Sequence, residues 1–125
     1  MALTIPEDEL ELCFSLARPG YAALSLVNDL YSWNKERKAA EDAGLDYVFN
    51  ALWVIMKESL VSEEEAIALC RERIVEEMSA FNSTLDNIDE RGLSRDTVIY
   101  LEAVRHSYIG NLVWSIYCPR YHEGV

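Results

Sequence analysis

The chain has 125 residues, half of them hydrophobic, and its 22 acidic against 11 basic side chains give a formal charge of −11 at neutral pH. That is one domain's worth or less, with enough apolar residues for a core. The charge argues against a nucleic-acid partner, whose backbone phosphates would be repelled, and no apolar run approaches the ~18 residues of a membrane span. The three cysteines, Cys13, Cys70 and Cys118, are odd in number and lack paired spacing. They read as free thiols of a reducing compartment rather than a disulfide framework. With no basic and apolar leader at the N-terminus, the chain is expected to be soluble and cytoplasmic.

Taken in order, Thr4 to Glu7 reads as a capping box opening a short helix to about Ala17, with Leu10, Cys13, Phe14 and Ala17 as its apolar stripe. Arg18-Pro19-Gly20 should interrupt it, because a proline disfavours helix at the residue before it and glycine loosens the backbone. A second helix is expected from about Pro19 to Asp42, stopping at Gly44. A third, from Leu45 to Ser59, carries Val48, Phe49, Leu52, Trp53 and Met56 at packing intervals. Ser62 to Glu65 is another capping box. It starts an amphipathic run through Ile67, Cys70, Ile74, Met78, Phe81, Leu85 and Ile88 that ends at Gly92. Ser94 is the candidate N-cap of a last helix, about Arg95 to Tyr117, with Leu101, Val104, Tyr108, Leu112 and Ser115 at helical spacing, which Pro119 terminates. The chain is thus expected to be all-α, with about five helices, no strand, no glycine-rich phosphate loop and no repeat.

Within the second of these helices, Asn28, Ser32 and Glu36 recur every four residues and so share a face. Polar residues at this spacing are commonly just the wet face of an amphipathic helix. They are also three oxygen donors, the ligand type a hard divalent cation such as Mg2+ requires, with water and phosphates completing the shell. Glu36, farthest along, has the longest arm to lean back toward the other two. Asp29 beside them could serve nearby backbone groups or support the ligand set. Cys118 and His122 have zinc-like spacing but no second pair, and His106 has no telling neighbour, so both read as uninvolved.

The stretch Asn28-Asp29-Leu30-Tyr31-Ser32-Trp33-Asn34-Lys35-Glu36 resembles the second metal-binding motif of class I terpene synthases, Asn-Asp-x-x-Ser-x-x-x-Glu, including the Lys before the Glu. Near the other end, Arg120-Tyr121 resembles the same family's C-terminal Arg-Tyr pair, with Trp114 six residues ahead of the Arg. The order of the motifs and the helical run between them extend the resemblance over nearly the whole chain. It is most similar to the cyclase domains of fungal enzymes that make di- and sesterterpenes, often fused to a prenyltransferase domain.

The resemblance implies that residues 1–125 are the C-terminal portion of a terpene cyclase domain. It implies Mg2+ held by Asn28, Ser32 and Glu36, a polyprenyl diphosphate substrate gripped by Lys35, Arg120 and Tyr121, and Trp114 in the wall of the hydrocarbon cavity. The family's aspartate-rich motif, expected on a helix well upstream, has no match in this sequence. Activity of these residues alone is therefore not expected, and the alternative is a catalytically dead helical remnant or interaction module. With the cavity-facing sides of its helices uncovered, the chain is expected to self-associate, which sedimentation would reveal.

Overall fold

The computed structural model describes residues 2–117, and within them it is all-helical. A 3-10 turn at Glu7–Glu9 leads into α1, Leu10–Asp42; α2 is Ala51–Ser59, α3 is Glu63–Asp86, and α4 is Arg95–Tyr117, with a 3-10 turn at Ile88–Arg91 between the last two. Among the described residues there are four α-helices rather than about five, because the two expected before Asp42 are one. Among the described residues no helix is long and apolar enough to cross a membrane.

The expected interruption at Arg18-Pro19-Gly20 does not occur: α1 runs through Pro19 for 33 residues. An interior proline forfeits one backbone hydrogen bond and costs about 3 kcal/mol. Cys13, Ala17, Gly20, Ala23 and Val27 form a fully or nearly fully buried stripe across that position, and burial on both sides of the proline outweighs the lost bond. Gly20 serves close approach rather than flexibility. A Cβ there would lie 2.6 Å from Val104 and 3.2 Å from the Phe81 ring, so only glycine lets α1 press against α3 and α4 together.

Further expectations shift. Thr4 does not cap the first helix; its backbone N–H donates to the Asp96 carboxylate (2.9 Å), and α1 starts after the 3-10 turn. Phe14, expected on the apolar stripe, is exposed. The helix expected from Leu45 begins instead at Ala51, because Asn50 is extended and its side chain accepts the Leu52 N–H, as an N-cap does. Phe49 is left 93% exposed in the connecting loop.

The helix expected to end at Gly92 stops instead at Asp86, and the last part of the run, with Ile88 still buried, is the 3-10 turn Ile88–Arg91 that Gly92 closes; the two serine caps follow the sequence pattern. Ser62 accepts the Glu65 N–H (3.2 Å) at the start of α3, and Ser94 accepts the Thr97 N–H (3.3 Å) at the start of α4. α3 runs antiparallel to α1: Trp33 meets Glu63, Leu26 meets Cys70 and Gly20 meets Phe81 in turn. α4 runs alongside α1 in the same sense, from Glu9 against Ser94 and Thr97 to Tyr21 against Tyr100 and Gly20 against Val104. One apolar cluster, around Phe81, Leu101 and Tyr108, joins α1, α3 and α4. A second, around Val27, Trp33, Leu52 and Cys70, joins α1, α2 and α3. Cys13 and Cys70 are buried free thiols, and burial pushes both thiol pKa values up, that of Cys70 to about 11.

Glu9 caps α4 from the far end of the chain, accepting the Ser94 N–H (3.0 Å) and the Thr97 hydroxyl (2.7 Å). These bonds hold its carboxyl below the usual glutamate range, the Ser94 N–H contributing most. A depressed carboxylate contributes stability that is present above its unfolded pKa and is lost as pH falls through the folded one. Glu9→Gln is therefore expected to flatten the acid limb of a Tm-against-pH profile below the ordinary glutamate pKa, an effect read by comparing the two proteins from pH 7 to pH 3.

Candidate functional site around Ser32, Glu36 and Asn50

Three turns of α1 carry Asn28, Ser32 and Glu36, and the structure brings the last two into contact. Ser32 Oγ lies 2.7 Å from the Asn28 carbonyl and 2.7 Å from Glu36 Oε1. A hydroxyl has a single proton, so it donates to one of these two acceptors at a time. Ser32 is buried, Glu36 half-buried, and the Asn28 side chain exposed one turn earlier.

The other oxygen of Glu36 is held from a different element. Asn50 Nδ2 donates to Glu36 Oε2 (3.1 Å) and to the Asp29 carbonyl (2.8 Å), while Oδ1 accepts the Leu52 N–H (2.8 Å). Alongside, Asp29 Oδ2 accepts the Ala51 N–H (2.9 Å). The start of α2 thus gives the Ala51 N–H, at the positive end of the helix, to the Asp29 carboxylate, while its N-cap side chain reaches Glu36. Burial raises the Asp29 pKa, the Ala51 N–H opposes the rise, and the nearby Glu36 charge adds to it. Asp29 thus satisfies backbone beside the candidate ligands, one of the two roles open to it from the sequence.

On the flank of α1, Trp33 Nε1 donates to Glu63 Oε1 (2.6 Å), and Arg37 pairs with both oxygens of Glu63 (3.2 and 3.1 Å). This brace fixes the rotation of α1 against α3. The ion pair is about 40% exposed on each side and contributes at most about 1 kcal/mol. Its value to the site is orientation.

The remaining candidates are more dispersed. Lys35 is exposed on α1, one residue before Glu36. Trp114 lies on α4 with half its surface open, beside the exposed Ile109, Val113, Ile116 and Tyr117. Arg120 and Tyr121 lie outside the described residues, as do Cys118, Pro119 and His122. Among the described residues no three His, Cys, Asp or Glu side chains cluster closely enough to hold a metal by themselves, so a cation here would rely on neutral oxygens beside Glu36. Asn50 was not foreseen. An asparagine before an apolar run signals an N-cap, but nothing in its spacing shows that it reaches Glu36.

The family model described as "Terpene synthase family 2, C-terminal metal binding" matches residues 1–80. The chain belongs to the terpene synthase family. Its relatives are fungal. It is 49% identical over 123 residues to a bifunctional type I diterpene synthase of Aspergillus flavipes, covering 98% of this chain. To a bifunctional sesterterpene synthase of Aspergillus aculeatus it is 44% identical over 122 residues, covering 97% of this chain. To the fusicoccadiene synthase of Phomopsis amygdali it is 40% identical over 126 residues, covering the whole chain. The chain spans only 16%, 17% and 18% of the lengths of these three curated relatives.

Proposed function

We propose that these residues are the C-terminal portion of a class I terpene cyclase domain, one that ionises a linear polyprenyl diphosphate and cyclises the resulting carbocation. The observation that carries this reading is the 2.7 Å edge between Ser32 Oγ and Glu36 Oε1. Neighbouring oxygens on an octahedral Mg2+ at about 2.1 Å stand about 3 Å apart. The pair therefore fits one edge of such a shell, and the exposed Asn28 amide is one turn away on the same face. The family description, which speaks of metal binding without naming the ion, supports the donor set.

Asn28, Ser32 and Glu36 would hold Mg2+, which when bound would stabilise the negative charge gathering on the departing diphosphate. A single carboxylate with two neutral oxygens binds such an ion weakly alone, which suits a site completed by water and substrate phosphate. Lys35, Arg120 and Tyr121 would grip the diphosphate, supplying locally the positive charge that a chain of net −11 lacks on average. The allylic C–O bond breaks, both electrons leave with the diphosphate, and an allyl cation remains. Trp114 would present its ring face to that cation and help exclude quenching water.

The substrate class in this reading is geranylgeranyl or geranylfarnesyl diphosphate, matching the di- and sesterterpene names of the relatives. The reading includes a requirement for the upstream aspartate-rich helix and allows a fused prenyltransferase domain. The test is incubation with either diphosphate and Mg2+, with diphosphate release and hydrocarbon products followed by mass spectrometry. The chain alone is expected to be inactive, and the protein extended by the upstream coding region to form product that EDTA abolishes. An extended protein that releases diphosphate equally well without a divalent cation would refute the assignment.

A further inference from the structure

We infer that Asn50 is a positioning residue that presents Glu36 to the cation through one oxygen only. The inference rests on the metal reading above and goes beyond it, because Asn50 lies outside the motif and 14 residues from Glu36. A glutamate on a half-exposed helix face has three rotatable bonds and no reason to stay in one rotamer. Here its two oxygens are tied to two different elements, Oε1 to Ser32 on α1 and Oε2 to Asn50 at the head of α2. With Oε2 engaged by an N–H donor, Oε1 is the oxygen left facing the ligand edge. That suits a small octahedral ion, for which the two oxygens of one carboxylate are too close together to span an edge comfortably.

The amide of Asn50 can adopt only one orientation. Turned over, it would set Oδ1 against the Asp29 carbonyl and Glu36 Oε2, two acceptors, and would leave the Leu52 N–H facing an NH2 group. The side chain is 5% exposed, and all three of its hydrogen-bonding partners are protein atoms. The anchor beneath it is the Ala51 N–H on Asp29. A neutral donor is also the right chemistry: a lysine or arginine at this place would neutralise the carboxylate and compete with the cation, whereas an amide orients the carboxylate and leaves its charge in place.

The test is Asn50→Ser in the protein extended to include the aspartate-rich helix, since serine caps a helix about as well as asparagine but is too short to reach Glu36. Three-bond couplings measured by NMR report the Glu36 rotamer, and Mn2+ EPR with inorganic diphosphate reports cation binding. In the wild type, Glu36 is expected in one rotamer and the Asn50 Nδ2 protons slow to exchange. In the variant, the couplings are expected to average and Mn2+ affinity to fall by about 10-fold or more, with the helical circular dichroism unchanged. Unaltered couplings and affinity in Asn50→Ser would overturn the inference, as would rapid exchange of the Nδ2 protons in the wild type, a measurement that needs no variant to fold. A wild type that binds no Mn2+ even with diphosphate would instead overturn the metal reading and this inference with it.

Discussion

Phe81→Ala is expected to cost about 3–5 kcal/mol, the range for deleting a fully buried aromatic ring, and to lower Tm by about 10 °C or more. The ring is fully buried, and its edge-to-face partner is Tyr108, centroids 5.9 Å apart at 64°. It is also the surface against which Gly20 packs. The ring belongs to the cluster shared by α1, α3 and α4, and α1 already lies so close to α4 that a Cβ on Gly20 would clash with Val104, which leaves little room for the helices to collapse into the hole. Tyr108 is held in its turn by its hydroxyl, which donates to Asn82 (2.8 Å), so it cannot swing in to fill the space without losing that bond. Against a typical total stability of 5–15 kcal/mol, this single truncation removes a large fraction. Denaturant melts of the two proteins decide the matter: a loss below about 1 kcal/mol would mean that the three helices collapse freely around the site and that Gly20 does not set their spacing.

The same junction shows what a sequence pattern conveys and what it hides. The stripe Leu101, Val104, Tyr108, Leu112 and Ser115 on α4 was readable from spacing, and the structure buries all of it but Leu112, which is only partly buried, against the second apolar cluster. The capping serines at 62 and 94 were readable as well, since a cap is a local bond between residues three apart. Pro19-Gly20 was misread as a break because local propensity is all that a sequence displays there, whereas the compensating burial comes from Phe81 and Val104, far along the chain. Leu45 to Asn50 was misread for the opposite reason: its apolar residues continue a helical spacing, yet the extended conformation of Asn50 and its bonds back to α1 end the pattern.

The site was legible in the same uneven way. Ser32 and Glu36 are four apart on one helix, so their contact follows from helical geometry. Asp29 and Asn50 meet only because the loop after α1 folds back, which composition and periodicity do not report. The arrangement couples core and site. The second apolar cluster holds α2 against α1 and α3 through Val27, Leu52 and Cys70, and that packing delivers the Asn50 amide and the Ala51 N–H to the carboxylates.

Glu36→Gln is expected to lower Mg2+-dependent diphosphate release by about 10²–10³, the loss that follows removal of one preorganised stabiliser of transition-state charge, while leaving the fold intact. The amide matches the carboxylate in size, and its orientation is dictated by its neighbours. Asn50 Nδ2 is a donor and requires the amide oxygen; Ser32 Oγ can accept and takes the NH2 group. Both contacts persist, so Tm should change little. Yet the atom now facing the ligand edge is an N–H donor in place of Oε1, and no cation can be held there. Glu36→Asp reverses the trade: it keeps the charge but is one methylene shorter, so it should lose the Asn50 contact and retain intermediate activity. The measurement is made in the protein extended to include the aspartate-rich helix, with Mg2+ varied at saturating substrate. If Glu36→Gln stays within a few-fold of wild type at every Mg2+ concentration, Glu36 is not a metal ligand and the hydrogen bonds around it serve the fold alone.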